Sequence, residues 1–298
     1  MTVPPEAFRD WIAPHVAAIR DLATAVDAVP DRHGNLPSAS SRAMSELAEE
    51  RQYGTRSGWE QPVSTAHMFG GATLRAASDY VRGIAELFGT DHPPLYAHLP
   101  LARATLESAV ISAWLSELGI ATEERAKRCL CELLYSAEEV SALGLASAGG
   151  DRVAFWEGVG ASLGWTVKNL GRGKPTIDGQ RRPRISSGIA ALADGGLDVA
   201  NALYSQLSAV DHVTWFGLIT AFDPASAERD DRAGTAAVPI GVDGAKVSTI
   251  LYWVIRVVVA AADARFTLMG WRDEPWREAA AHADTLQQQL AAIAVSRG

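Results

Sequence analysis

The sequence predicts an all-α, multi-helix bundle of about nine helices in a single domain, 1–298. Three observations carry that expectation. Nearly every long segment repeats its apolar residues at three- and four-residue steps, and no segment alternates apolar and polar residues over a strand's length. Hydrophobic residues make up 48% of the 298, enough to fill a sizeable core.

The first helix should begin after Pro4-Pro5 and run to about Ala28, with Phe8, Ile12, Val16, Ile19, Leu22 and Val26 on one face; Pro14 should kink or divide it. Residues 30–38 form a loop, and Ser40 or Ser41 caps a short helix reaching Glu50. Tyr53–Gly71 shows no period, and a loop of that length suggests function, with Trp59, in the same segment as His67, as a lid over a pocket. Helices are then expected over Ala72–Phe88, Leu95–Leu118, Thr122–Leu145 (Thr122 as N-cap) and Asp151–Leu170. A basic loop follows over 171–184. Beyond it come helices over Ile185–Asp194 and Leu197–Ala221, a second irregular stretch over 223–242, and closing helices over Val242–Gly270 and Pro275–Val295.

Composition excludes several classes. Asp and Glu number 35 against 27 Lys and Arg, a net charge of −8, which argues against a general nucleic-acid coat. The N-terminus lacks a signal peptide's basic and apolar regions, and the apolar run Thr249–Ala262 is interrupted by Arg256, so no membrane span is read and a cytoplasmic location is expected. Cys129 and Cys131, two apart on a helix, suit neither a mutual disulfide nor shared metal ligation. No phosphate-binding loop, dinucleotide fingerprint or paired metal-binding histidine occurs, so no cofactor and no metal are expected. Gly160-Ala-Ser162-Leu-Gly164 matches a nucleophile elbow only in letters, because helical spacing, not a strand, precedes it.

One polar cluster stands out. Tyr204, Ser208 and His212 fall at i, i+4 and i+8 on one helical stripe, surrounded by Leu203, Leu207, Val210 and Trp215. Arg103 and Glu107, one turn apart on another helix, and Arg128 on the next are the expected partners. A histidine steered by a carboxylate can act as general acid or base, so His212, Tyr204 and Glu107 are the catalytic candidates. Arg103, Ser208, Arg128 and Trp215 are the ligand-binding candidates, with Arg103 on an anionic group. The same residues could instead form a satisfied network that fixes helix register.

Leu101-Ala-Arg-Ala-Thr-Leu-Glu-Ser-Ala109, followed by Tyr204-Ser-Gln-Leu-Ser-Ala-Val-Asp-His212, resembles a loose group of all-helical actinobacterial proteins. Their Arg-x-x-x-Glu helix precedes a Tyr-x-x-Leu-Ser-x-x-x-His helix, and they are distantly similar to HEPN (abortive-infection-like) bundles. The resemblance spans about residues 95–220 and implies a helical bundle. In its nuclease branch an arginine precedes a histidine by a short spacing, as in Arg277–His282 and Arg9–His15, and the site forms between two chains.

Lys168–Arg184 holds six basic residues and one acid, Asp178, and is the only segment that could draw in a nucleic acid. No aromatic platform accompanies it, which favours a solvated loop. A homodimer could form through Val257–Ala262 or the last helix. The expected function is that of a small-molecule-binding helical protein, or an enzyme of bacterial specialised metabolism, with the Tyr/Ser/His/Arg/Glu cluster in an apolar pocket. The alternatives are a HEPN-like RNA-cleaving or phage-defence protein and a non-catalytic interaction scaffold.

Overall fold

The computed structural model describes residues 5–50, 52–53, 58–90, 96–143, 146–169, 175–212, 228–230, 235–237 and 244–296. They form an all-α bundle with ten helices and two very small sheets. The helices are α1 (Pro5–Arg32), α2 (Arg42–Glu49), α3 (Pro62–Phe88), α4 (His98–Leu115), α5 (Thr122–Ala142) and α6 (Ala146–Ser162). After the strands β1 (Val167–Asn169), β2 (Pro175–Ile177) and β3 (Gln180–Arg181) come α7 (Ile185–Leu192) and α8 (Leu197–Asp211). The hairpin β4 (Glu228–Asp230)–β5 (Thr235–Ala237) precedes α9 (Gly244–Met269) and α10 (Glu274–Ser296).

The main core joins α1, α3, α4, α7, α8, α9 and α10, and a second apolar cluster joins Trp59 and Ala66 to α5, α6 and the first sheet. Helix α9 runs through the main core, with Ile255, Val257, Val258, Ala261 and Ala262 fully buried. By length and composition it could cross a membrane; here its apolar faces meet α1, α3, α4, α7 and α10. The Val257–Ala262 run expected at a dimer face therefore packs inside the chain, and Ala283, Leu286 and Leu290 of α10 are buried against the same bundle.

Several boundaries differ from expectation, each for a local reason. Helix α1 is continuous through Pro14 and Pro30. Helix α3 starts ten residues before Ala72, with Pro62 at its first turn, and carries Gly70-Gly71 in its interior. Each of those glycines costs helix propensity of about 1 kcal/mol, but Gly70 lies close against Leu115 and Ser116, and Ser112 Oγ donates to its carbonyl at 2.8 Å. Ser41 caps α2, its Oγ accepting from Met44 N at 3.2 Å. Thr122 lies inside α5, whose N-cap is Ala121.

The stretch expected as the end of one helix and a basic loop is instead a small antiparallel meander, β1-β2-β3. Helix α6 ends at Ser162, and Gly164 turns the chain at φ +78°. Asp178 and Gly179 both have positive φ (47° and 83°), the signature of a tight two-residue hairpin, with Ile177 paired to Gln180. Strands of two or three residues are too short to show alternation, which is why the sequence pattern conceals them.

At the other end of the bundle, Gly270 closes α9 at φ +72°, and Trp271 N reaches back to Phe266 O at 2.7 Å. Ser38 N then bonds Met269 O (2.9 Å), Ser38 Oγ bonds Gly270 O (2.7 Å), and Trp271 Nε1 bonds Leu36 O (2.8 Å). These bonds fasten the loop after α1 to the end of α9.

Candidate functional site

Part of the expected cluster assembles between α4 and α8. Tyr204 Oη donates to Glu107 Oε1 at 2.5 Å, Arg103 Nε donates to the same oxygen at 2.8 Å, and the guanidinium lies 5.5 Å from the Tyr204 ring centre. Burial and then the Glu107 carboxylate push the Tyr204 hydroxyl up, so it stays protonated. Burial opposes charge on Arg103, yet its bond to Glu107 raises it overall. The three groups satisfy one another.

The remaining members lie elsewhere. Ser208 is half-buried one turn along α8, and His212 is exposed just beyond that helix's end. Arg128 serves the far end of α4, donating to Trp114 O and Glu117 Oε2 (both 2.6 Å) and to Glu124 Oε1 (2.8 Å). Eleven residues of helix separate Arg103 from Trp114, roughly 16 Å at 1.5 Å per residue. Trp215 lies outside the described residues, as does the Arg9 side chain. Arg277 pairs with Glu274 at 2.7 Å and is exposed, as is His282. In the basic segment, Arg182 is tied to Glu132 (3.0 Å) and lies over Tyr135, while Asp178 binds Lys127 at 2.8 Å.

A different constellation occupies the bundle's interior. Glu46 of α2 has no exposed surface and gathers Arg125 Nε (2.7 Å), Arg125 Nη2 (3.0 Å) and Arg42 Nε (2.9 Å). Arg125 also donates to the carbonyls of Leu115 and Glu117, capping the end of α4. Burial works against the Glu46 carboxylate, but the facing His67 N–H and the Arg125 guanidinium outweigh it and hold the group at about 2.

His67 of α3 connects this pair to a second arginine. Its Nε2 faces Glu46 Oε2 at 3.2 Å, off the line of a good hydrogen bond, and its Nδ1 meets Arg265 Nη1 at 3.4 Å. A guanidinium can only donate, so Nδ1 accepts and the ring proton sits on Nε2. Burial, together with the two guanidinium charges and against the pull of Glu46, lowers the His67 ring below its ordinary range and keeps it neutral.

Arg265 is 4% exposed, and among the described residues it forms no ion pair with a carboxylate. Its Nε is buried without a hydrogen-bond partner. Burial and the Arg125 charge lower it to about 9, so it remains a cation at neutral pH. Within this constellation, the buried charge is two guanidinium groups, Arg125 and Arg265, against one carboxylate, Glu46. An excess buried charge is costly unless something neutralises it.

Arg265, His67 and Gly71 line the inner part of a cavity of about 470 Å³. Its walls are mainly apolar, including Val26, Leu74, Phe266 and Trp271. Leu36 and Met68 also line it, and at 70% and 67% exposure they are apolar side chains at a mouth open to solvent. The Ser38–Gly270 and Trp271–Leu36 bonds are what set Trp271 and the 36–38 loop as the outer wall.

Sequence reading noted His67 only as part of an irregular segment and gave it no role; it did not find Glu46, Arg125 or Arg265. Arg265 had a signal, since it interrupts a helix that is apolar nearly all round. Glu46 and Arg125, 79 residues apart, had none. Both cysteines are buried, free and pushed up by burial, Cys131 to about 12. Among the described residues, no three His, Cys, Asp or Glu side chains converge as a metal site.

Comparison with protein-family models, with curated proteins and with solved structures finds no match to this chain.

Proposed function

We propose that this chain binds a small molecule in the cavity between α1, α3 and α9. The observation that carries this reading is the cavity itself. Its volume of about 470 Å³ falls in the range of ligand sites, and a mostly apolar wall surrounds two convergent buried polar groups, His67 and Arg265. Apolar walls contribute affinity, and the two polar groups give orientation.

Arg103, Glu107 and Tyr204 take a different role in this reading. They do not line the cavity and already satisfy one another, so they hold α8 on α4. His212, exposed beyond α8, is left without a part in binding.

The test uses a neutral probe. Decanamide should raise the unfolding temperature of the full chain and should not raise that of Ala72→Trp. Ala72 is an exposed residue of α3 on the cavity wall, so an indole there fills the opening without disturbing the core. An equal response in both proteins would place the probe elsewhere and remove the reading.

A further inference from the structure

Resting on that reading, we propose that the cavity's ligand is a monoanionic carboxylate with an apolar body, its carboxylate seated on Arg265 and its body directed toward Leu36 and Met68.

Charge balance sets the sign and the number. Arg125 is matched by Glu46 and by two backbone carbonyls, whereas Arg265 meets only the neutral His67 imidazole and the Trp271 ring, 5.9 Å from its centre, and among the described residues it has no carboxylate of its own. One negative charge neutralises it. A dianionic phosphate would bring a further negative charge into a cavity whose wall already carries the Asp27 carboxylate, paired with Arg82, and whose His67 ring faces Glu46.

The guanidinium's geometry selects a planar acid. His67 occupies Nη1, leaving the edge formed by Nε and Nη2. Those two parallel N–H groups are the fork that a carboxylate accepts with both oxygens. Gly71, which also lines the cavity, lies against that edge. A Cβ at position 71 would stand 3.5 Å from Nη2 and 4.0 Å from both Nε and Cζ. The missing side chain leaves open the space beside the fork.

The apolar body follows from the rest of the cavity. Leu74, Phe266 and Trp271 form its walls, and the exposed Leu36 and Met68 lie where a chain extending outward would pass. Scattered exposed apolar side chains are ordinary; these two share the wall of one opening.

Binding of decanoate and 2-naphthoate, each beside its neutral amide, can be measured by calorimetry on the full chain, Arg265→Gln and Gly71→Ala. In the wild type at least one acid should bind more tightly than its amide. Charge-assisted hydrogen bonds to a guanidinium imply a loss of about 10- to 100-fold for that acid in Arg265→Gln, with little change for its amide. In Gly71→Ala, where the new methyl meets only ordinary contacts, the protein should stay folded and the acid should lose affinity by a similar factor.

Acids and amides binding equally would leave the cavity reading standing and overturn the carboxylate assignment. Undiminished acid binding in Gly71→Ala would also overturn it. Failure of every probe would remove both.

Discussion

Arg265 Nη1 meets His67 Nδ1 at 3.4 Å, so a neutral ring stands between the buried guanidinium and the Glu46 carboxylate on the ring's other nitrogen. The contact ties the ring's protonation to the interior charge. A proton on Nδ1 would oppose Arg265 directly, and Arg125 lies close enough to oppose it as well.

Stability should therefore depend on pH in two successive windows. The unfolded chain protonates His67 near 6.5, while the folded chain resists until lower pH, so stability is full above 6.5 and falls as pH drops below it. Glu46 follows in the same direction: the unfolded carboxyl takes a proton near 4.5 and the folded one only near 2, so its contribution is lost between those values. Urea midpoints between pH 8 and pH 3 should decline throughout. His67→Gln should flatten the upper part, leaving a remainder from His15, which burial also lowers.

Arg125 and Arg265 should respond oppositely to removal. Arg125→Met leaves buried Glu46 with only the partly exposed Arg42 as ion-pair partner and takes the donor from the carbonyls ending α4, with an expected loss of about 3–5 kcal/mol. Arg265→Met removes a charge that lacks a carboxylate, so without ligand its stability should be unchanged or higher. Denaturant unfolding of the two variants gives the comparison, and equal losses would mean that Arg265 has a partner of its own.

Glycine positions offer a check on packing. Gly71→Ala adds a methyl at 3.5 Å from its nearest neighbour and restores helix propensity, so stability should rise by up to about 1 kcal/mol. At Gly160 the same methyl would meet Val167 Cγ2 at 2.4 Å, and at Gly188 it would meet Val110 Cγ1 at 2.3 Å, so both alanine variants should be destabilised. Thermal unfolding of the three should show the split in sign.

How far the sequence could be read depends on the distance between partners. Three- and four-residue periodicity is local, so the helices, the Ser41 cap and the buried stripe of α9 were legible. Glycine punctuation misled at Gly70-Gly71, where helix contacts outside the window outweigh a propensity cost. The Arg103–Glu107 turn and Tyr204 were found because each lies on a strong helical pattern, and the structure brings those three together. His212 and Arg128 share the pattern but not the place, since spacing along a helix does not fix which neighbour it faces. The Glu46–Arg125 pair spans 79 residues and His67–Arg265 spans 198; no local window contains either.

Thiol chemistry should report the tightness of the second apolar cluster. Cys129 and Cys131 are buried and held protonated by burial, so thiol reagents should modify them only as fast as the region opens. Labelling rates should rise with urea in parallel with unfolding. Rapid modification of the native protein would contradict the packing of α5 against the β1-β2-β3 sheet.

Tyr204→Phe should cost about 1 kcal/mol through the lost bond to Glu107, which keeps Arg103 as partner. Probe binding in the cavity should be unaffected by it, and by His212→Ala. A loss of binding in either variant would return the α4–α8 cluster to the ligand site.

The proposed occupant of the cavity beside Arg265 is a small molecule. Native mass spectrometry of the full chain, with decanamide and decanoate added in turn, tests it most directly. A one-to-one complex should form in the wild type and disappear in Ala72→Trp, with decanoate held more strongly than decanamide. No complex with either probe, or complexes equally abundant in the plugged variant, would contradict it.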